Sequence, residues 1–136
     1  MAKIQNKDYQ AAVGRRKEAV ARVRLYIGQG ESLVNGQPAE KYFPGSLAKI
    51  LLAKPLSVID GGDKYWFTAK VVGSGKNSQL EAVVHGIARA LSLQDVENFR
   101  PKLKKAGLLK RDPRIRERRK VGTGGKARRQ KQSPKR

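Results

Sequence analysis

The stretch EAVARVRLYI, residues 18–27, decides the fold because its apolar and polar side chains alternate along the chain. Its odd positions hold only apolar residues, namely Ala19, Ala21, Val23, Leu25 and Ile27. Its even positions include Arg22 and Arg24. A period of two is typical of a strand with one buried face and one solvated face. The stretch therefore predicts a β-strand whose wet face is basic.

Further strands are predicted on both sides of the first helix candidate. GQGE, residues 28–31, carries two glycines that can adopt positive φ, so we expect a turn and a returning strand at residues 32–35. Asn35-Gly36 is a turn dipeptide. LSVID (residues 56–60) and KYWFTAKVV (residues 64–72) are rich in β-formers and are separated by Gly61-Gly62-Asp63. The sheet should contain about four strands.

Three helices are predicted between and after these strands. SLAKILLAKP, residues 46–55, has Ser46 as a candidate cap and Pro55 as a stop. A capping box from Ser78 to Glu81 precedes the clearest amphipathic helix, in which Gly86 indicates a close neighbour. A basic helix should run from about residue 101 to 106, with Gly107 closing it. The fold class is therefore α/β, an α+β sandwich with a mixed sheet and packed helices.

Charge divides the chain into two parts. Of the net charge of +20, residues 1–99 contribute 14 basic and 9 acidic side chains, whereas residues 100–136 contribute 17 and 2. We expect a globular domain over residues 1–109 and an extended basic tail over residues 110–136 that is disordered when free. Such asymmetry favours a polyanionic partner, either nucleic acid or an anionic membrane. The membrane is the poorer candidate because the tail lacks an apolar face.

Several kinds of chemistry are not predicted. The chain has no cysteine and one histidine, His85, so no metal or cofactor is indicated. GSGKNS, residues 73–78, fits neither the P-loop nor the dinucleotide pattern, and can be an RNA-phosphate contact or a plain turn. His85 lacks a partner carboxylate or nucleophile nearby in sequence, so it is a boundary or RNA-contacting residue. We predict no enzyme, and find no signal peptide or bilayer-spanning run.

The candidate RNA-binding residues form two groups. Arg15, Arg16 and Lys17 directly precede the basic strand, and with Arg22 and Arg24 they form either an RNA-binding ridge or an ordinary solvated face. Arginine binds phosphate through two hydrogen bonds and stacks on exposed bases, which favours structured RNA. The tail candidates are Arg111, Arg114, Arg116, Arg118, Arg119, Lys120, Lys126, Arg128 and Arg129.

Four blocks of the chain are familiar in order and spacing. They are GRRKEAVARVRLYIGQG, VNGQPAEKYF, HGIARAL and KAGLLKRDPRIRERRKVG, and together they resemble the small-subunit ribosomal protein nine family. The resemblance implies a structural constituent of the small-subunit head without catalytic activity, on a ribosome of the bacterial cytoplasm or the plastid stroma. The implied partners are small-subunit ribosomal RNA, P-site transfer RNA and neighbouring head proteins, with no membrane and no homo-oligomer.

The resemblance also assigns a role to the end of the tail. In the family, the last residues reach the anticodon stem-loop of P-site transfer RNA, and the matching positions here are Ser133, Lys135 and Arg136. This tail departs from the family in lacking an aromatic residue near its tip and in having a proline at position 134. The alternative from another class is a general nucleic-acid-compacting protein with a histone-like tail, which would accept duplex DNA as readily as ribosomal RNA.

Overall fold

The computed structural model describes residues 9–60, 64–118 and 121, and this part of the chain folds into a mixed sheet with packed helices. The predicted fold class is thus confirmed. The elements in chain order are β1 (Tyr9–Arg16), β2 (Ala19–Ile27), β3 (Leu33–Val34), β4 (Gln37–Pro38), α1 (Ala39–Tyr42), α2 (Ser46–Val58), β5 (Tyr65–Val72), α3 (Lys76–Gln94) and α4 (Phe99–Lys105).

The sheet has the strand order β1-β2-β5-β3-β4, five strands in place of the predicted four or so. The three long strands β1, β2 and β5 pair antiparallel, and the short β3 pairs parallel with β5. Helix α3 packs across β1 and β2 and encloses the core between itself and one face of the sheet. The opposite face of the long strands therefore carries the solvated side chains.

Strand β2 confirms the alternation read from residues 18–27. Ala19, Ala21, Val23 and Leu25 are at most 2% exposed, and Arg22 and Arg24 are exposed. Ile27 is the exception at 63% exposure, because it is the last residue of the strand, beyond the cover of the helix. Strand β5 likewise confirms the prediction for residues 64–72.

The predicted close neighbour of Gly86 is the backbone of β1. A Cβ atom built on Gly14 would lie 1.9 Å from the carbonyl oxygen of Ala82 and 2.3 Å from the amide nitrogen of Gly86. A Cβ atom on Gly86 would lie 2.6 Å from Cγ2 of Val23. Helix and strand therefore meet backbone to backbone, and a glycine is required on both sides of the contact.

The Asn35-Gly36 turn is also confirmed, and it joins β3 to β4. Both residues have positive φ, 51° and 82°, as a type I′ hairpin turn requires. The Asn35 side chain adds two hydrogen bonds to the backbone of Val71, accepting from its N–H (2.8 Å) and donating to its carbonyl (3.0 Å). The turn is thereby fixed to β5 as well as to its own hairpin.

The prediction of a strand at residues 56–60 is wrong, and so is Pro55 as the end of the preceding helix. Helix α2 continues through Pro55 to Val58. Leu52, Pro55 and Ile59 are buried at helical spacing. Burial of that stripe in the core outweighs the lost backbone hydrogen bond of the proline. The predicted turn at residues 61–63 lies outside the described residues.

The predicted hairpin through residues 28–31 is wrong as well. Strand β2 does not pair with residues 32–35, because its two edges are occupied by β1 and β5. The sequence YQAAVGRR of β1 does not indicate a strand by its pattern, since its central positions are small residues with little contrast in hydrophobicity. Its hairpin with β2 turns at Lys17, which has a φ of 52°.

Helix boundaries differ from the predicted ones by a few residues. Helix α3 begins at Lys76 after Gly75, so the capping box is wrong: Ser78 is buried inside the helix, and no side chain caps its start. Helix α2 is preceded by Gly45, with Ser46 as its first residue. Helix α4 begins two residues before the predicted start, and Gly107 follows it with a φ of 77°, as predicted for a closing glycine.

The glycine contact predicts the cost of one added methyl group. Gly14→Ala should lower the free energy of unfolding by about 3 kcal/mol, because backbone atoms cannot rotate away from the new Cβ. The control Ala11→Val adds apolar volume to the exposed face of the same strand and should change the free energy by less than about 0.5 kcal/mol. Urea unfolding followed by circular dichroism measures both. Equal stability of Gly14→Ala and the parent would contradict the close approach.

Candidate nucleic-acid interface

The face of the sheet that α3 leaves uncovered carries a cluster of cations. In the register of β2 and β5, Arg22 lies opposite Lys70 and Arg24 lies opposite Thr68. Arg22, Arg24 and Lys70 are all exposed. We call the solvated side of β1, β2 and β5 the open sheet face. Its cations lie on adjacent strands, within reach of one polyanion.

The facing pair on this surface is electrostatically unfavourable in the free protein. Like charges directly opposite each other on neighbouring strands destabilise a sheet. In the described part of the chain, no carboxylate forms an ion pair with Arg22 or Lys70. With Asn35, Gly36 and Thr68, these cations line a groove of about 710 Å³. An anion bound in the groove would relieve the repulsion.

Aromatic side chains form a row at the other end of the open sheet face. The ring centroids of Tyr9 and Tyr26 are 5.5 Å apart, and those of Tyr26 and Trp66 are 4.3 Å apart in a stacked arrangement. The Arg24 guanidinium lies 5.1 Å from the Tyr9 ring centroid. Aromatic rings beside arginine on a sheet are suited to stacking unpaired RNA bases. The sequence pattern does not predict this row, because Tyr9 belongs to β1, a strand that the pattern does not indicate.

The adjacent cations Arg15, Arg16 and Lys17 do not form one cluster. Arg15 is exposed, at a register position opposite Val20 on the open sheet face, and Lys17 is exposed in the hairpin turn. The side chain of Arg16 is only 11% exposed and lies on the helix side of the sheet. The structure thus separates Arg16 from the other predicted RNA ligands.

Arg16 is occupied by groups of the protein itself. Its Nε donates to a carboxylate oxygen of Glu81 on α3. Its Nη1 contacts Oδ1 of Asp112 at 2.9 Å and donates to the carbonyl of Arg114 at 3.1 Å. Nη2 of Arg114 pairs with Asp112 at 2.7 Å. Hydrogen bonds from Arg114 hold the pKa of Asp112 well below its usual range.

His85 joins the same region through both ring nitrogens. Nδ1 accepts the backbone N–H of Arg15 at 3.3 Å, so Nε2 carries the proton and donates to the carbonyl of Leu109 at 3.1 Å. Burial is the main cause that lowers the pKa of His85, and the nearby charges of Arg89 and Arg111 lower it further. His85 therefore lies at the boundary between β1, α3 and the start of the tail, with a structural role for each nitrogen.

The remaining predicted site residues divide by location. Nη2 of Arg111 donates to the carbonyl of Lys17 at 3.3 Å, and Arg116 and Arg118 are exposed. The turn at residues 73–78 has positive φ at Gly73 and Ser74, and Gln79 donates to the Gly73 carbonyl. The predicted residues outside the described part of the chain are Arg119, Lys120, Lys126, Arg128, Arg129, Ser133, Lys135 and Arg136.

The described residues contain neither a metal-binding cluster nor a membrane-spanning helix. Across residues 9–60, 64–118 and 121, no group of three or more His, Asp or Glu side chains could hold a metal ion. None of the helices in these residues combines the length and the apolar character needed to cross a membrane. The open sheet face and the Arg16 contacts are places where predicted cations lie within the described residues.

Comparison with known proteins shows which family this chain is similar to. Residues 14–136 match the protein-family model described as Ribosomal protein S9/S16. Over 112 residues the chain is 50% identical to "Small ribosomal subunit protein uS9" from Leifsonia xyli subsp. xyli (strain CTCB07). The match covers 82% of this chain and 67% of that relative.

The His85 contacts predict a pH dependence. Because burial lowers its folded pKa, the folded state binds fewer protons than the unfolded state, and the contacts weaken as the pH falls below about 6.5. Other charged residues also surround His85, namely Glu81 one turn away on α3, Arg16, Arg89, Lys110, Arg111 and Asp112. The protection factor of the Arg15 amide, measured by NMR hydrogen exchange, should fall between about pH 7.5 and about pH 5. In the His85→Gln control it should stay constant, and a constant value in the parent would refute the assignment.

Proposed function

The chain belongs to the Ribosomal protein S9/S16 family, and from this we propose that it binds small-subunit ribosomal RNA through the open sheet face while the end of its tail contacts P-site transfer RNA. Membership of this family gives the chain a structural role in the small ribosomal subunit. Its site of action is the ribosome, and we propose the bacterial cytoplasm or the plastid stroma as the compartment. The proposed partners are both RNAs and neighbouring proteins of the subunit head.

The observation that carries the proposal is the facing, like-charged pair of Arg22 and Lys70, with which no carboxylate in the described part of the chain forms an ion pair. Two cations facing each other lose free energy of repulsion when a phosphate lies between them, and they release the counterions condensed on that phosphate. Arg24 extends the positive surface along β2 toward Tyr9. Phosphate contacts of this kind fix the register of a protein on RNA and carry little sequence information.

The aromatic row supports RNA over duplex DNA as the partner. Rings of Tyr9 and Tyr26 can stack only on bases that have left a helix, which are common in the loops and bulges of structured RNA. A protein that compacts duplex DNA through phosphate contacts alone would not need such rings. The geometry of the open sheet face thus favours the ribosomal role over the compaction alternative.

The tail proposal depends on composition and family membership. Residues 110–136, proposed as an extension of the globular residues 1–109, are strongly basic, and the resemblance matches Ser133, Lys135 and Arg136 to the end of the family's tail, which it implies to be near transfer RNA. We propose that they contact the phosphates of the anticodon stem-loop and that the protein is not an enzyme. The use of both His85 nitrogens by backbone groups supports the second point.

Removing the three cations of the open sheet face tests the first contact. The full-length triple variant Arg22→Gln/Arg24→Gln/Lys70→Gln should bind a fragment of small-subunit head RNA more weakly than the parent. The slope of log affinity against log salt should become less steep by roughly 2 to 3, because each phosphate contact contributes about 0.7–0.9. Fluorescence anisotropy over a salt series measures it.

The matched control removes the same charge elsewhere. Lys54, Lys102 and Lys104 are exposed on helices away from the open sheet face, and their triple substitution by Gln should change the slope by less than about 1. Equal slopes for the two triple variants would mean that the open sheet face is not the binding surface. Competition by duplex DNA as effective as that by the RNA would favour the compaction protein.

Removal of residues 134–136 tests the second contact. Reconstituted small subunits with the shortened chain should sediment normally but bind P-site transfer RNA at least about tenfold more weakly, because a charge-assisted hydrogen bond contributes about 1.5 kcal/mol or more. A filter-binding titration measures the affinity. As a control, Lys126→Ala/Lys131→Ala removes two tail cations before the tip and should retain P-site binding. Normal P-site affinity of the shortened chain would refute the transfer-RNA contact.

A further inference from the structure

We propose that Arg16 is a positioning residue that attaches the root of the tail to the folded body and thereby fixes the direction in which the tail leaves it. The inference deepens the proposed function and, in its consequence for transfer RNA, rests on it. We call Arg16, Glu81, Asp112 and Arg114 the tail clasp. The clasp itself is a property of the free chain and can be measured without a ribosome.

The clasp joins three separate segments of the chain. Arg16 is the last residue of β1, Glu81 lies in α3, and Asp112 belongs to the tail. The Arg16 guanidinium contacts both carboxylates. A planar guanidinium presents Nε and Nη donors in different directions, so one arginine can hold two carboxylates where a lysine offers a single point charge. The 11% exposure of Arg16 is the result of this enclosure.

The charges of the clasp explain how a basic tail can lie against a basic hairpin. Arg16 and Arg114 bring two positive charges, and Glu81 and Asp112 bring two negative charges, so the clasp is neutral in a chain of net charge +20. Asp112 is one of two acidic residues after position 100. Asp112 lies between Arg16 and Arg114, which would otherwise repel each other, and so allows the tail to lie against the folded body.

Backbone contacts on both sides of Asp112 extend the attachment. Gly107 turns the chain, and the amide of Leu108 donates to the Leu103 carbonyl at 3.1 Å. Leu108 and Leu109 pack against the core, and His85 holds the carbonyl of Leu109. Arg111 then donates to the Lys17 carbonyl. From residue 107 to residue 114 the chain therefore follows the body, past the proposed domain boundary at residue 109.

The consequence is directional. A tail that started to diverge at residue 110 could sample many directions from the end of α4. With the clasp closed, the chain is held against the body as far as Arg114, beside the end of β1. The orientation of the open sheet face on ribosomal RNA then also sets the starting direction of the tail. The first residues of the tail are thus already ordered in the free protein, which lowers the conformational entropy that the tail loses when it binds RNA.

The absence of cysteine from the chain makes the clasp directly measurable. Cysteines introduced at Val96 and Ile115, which are 53% and 69% exposed, would be the only sites that take a nitroxide spin label. The clasp residue Glu81 lies about 20 Å along α3 from the helix end near Val96. The distance between labels at positions 96 and 115 is therefore in the range that pulsed electron paramagnetic resonance measures. The full-length free protein should give one narrow distribution of label distances.

Three variants test the clasp in this background. Arg16→Gln removes a positive charge and Asp112→Asn removes a negative one, and both should widen the distance distribution at least about twofold. The matched control Arg15→Gln removes the same charge as Arg16→Gln from the adjacent, exposed residue and should leave the distribution unchanged. Hydrogen exchange of the α3 core amides should be equal in all variants, because the effect is on the tail.

The outcomes separate this proposal from the proposed function. A wide distribution in the parent, or parent-like widths in both clasp variants, overturns the clasp whatever the tail contacts. If the variants widen the distribution, the clasp stands even where removal of residues 134–136 leaves P-site binding normal. If removal of residues 134–136 does weaken P-site binding, the clasp variants in reconstituted subunits should weaken it too, but by a smaller factor.

Discussion

The contact between the backbones of Gly14 and Gly86 is the constraint on which the other features depend. It brings α3 against β1 without intervening side chains, so that residues two positions along the strand and about one turn along the helix become neighbours. Arg16 then reaches Glu81, and the amide of Arg15 reaches His85. A larger residue at either glycine would separate the two elements and all the contacts that follow from their proximity.

The period of two in β1 gives neighbouring arginines different roles. Arg15 lies on the open sheet face, beside the cations of β2 and β5, whereas Arg16 lies on the helix side and binds carboxylates. One strand thus contributes to two surfaces: its outer positions belong to the open sheet face, and its last inner position contacts Glu81 and Asp112. The same strand also couples the two surfaces rigidly, since adjacent residues cannot reorient independently.

Sequence patterns predicted the elements whose side chains differ strongly in character. The alternation of β2, the apolar stripe of α3 and the Asn35-Gly36 turn are each set by local chemistry. Strand β1 is not predicted because its small residues show little contrast in hydrophobicity. Without its register, the sequence cannot show that Arg15 and Arg16 lie on opposite faces of the sheet. Pro55 predicts a helix end that the structure does not have, because the helix is stabilised by burial of its apolar stripe in the core, and local propensity does not include such tertiary packing.

The facing pair of Arg22 and Lys70 links assembly to the lifetime of the chain. Any partner that binds the folded state alone adds its binding free energy to the stability of that state, and relief of the repulsion belongs to that gain. The unassembled chain lacks it and opens more often. Under the proposed function, proteases that act on such open states would preferentially remove copies made in excess of their RNA. The repulsion between Arg22 and Lys70 would thereby help to match the amount of protein to the amount of its partner.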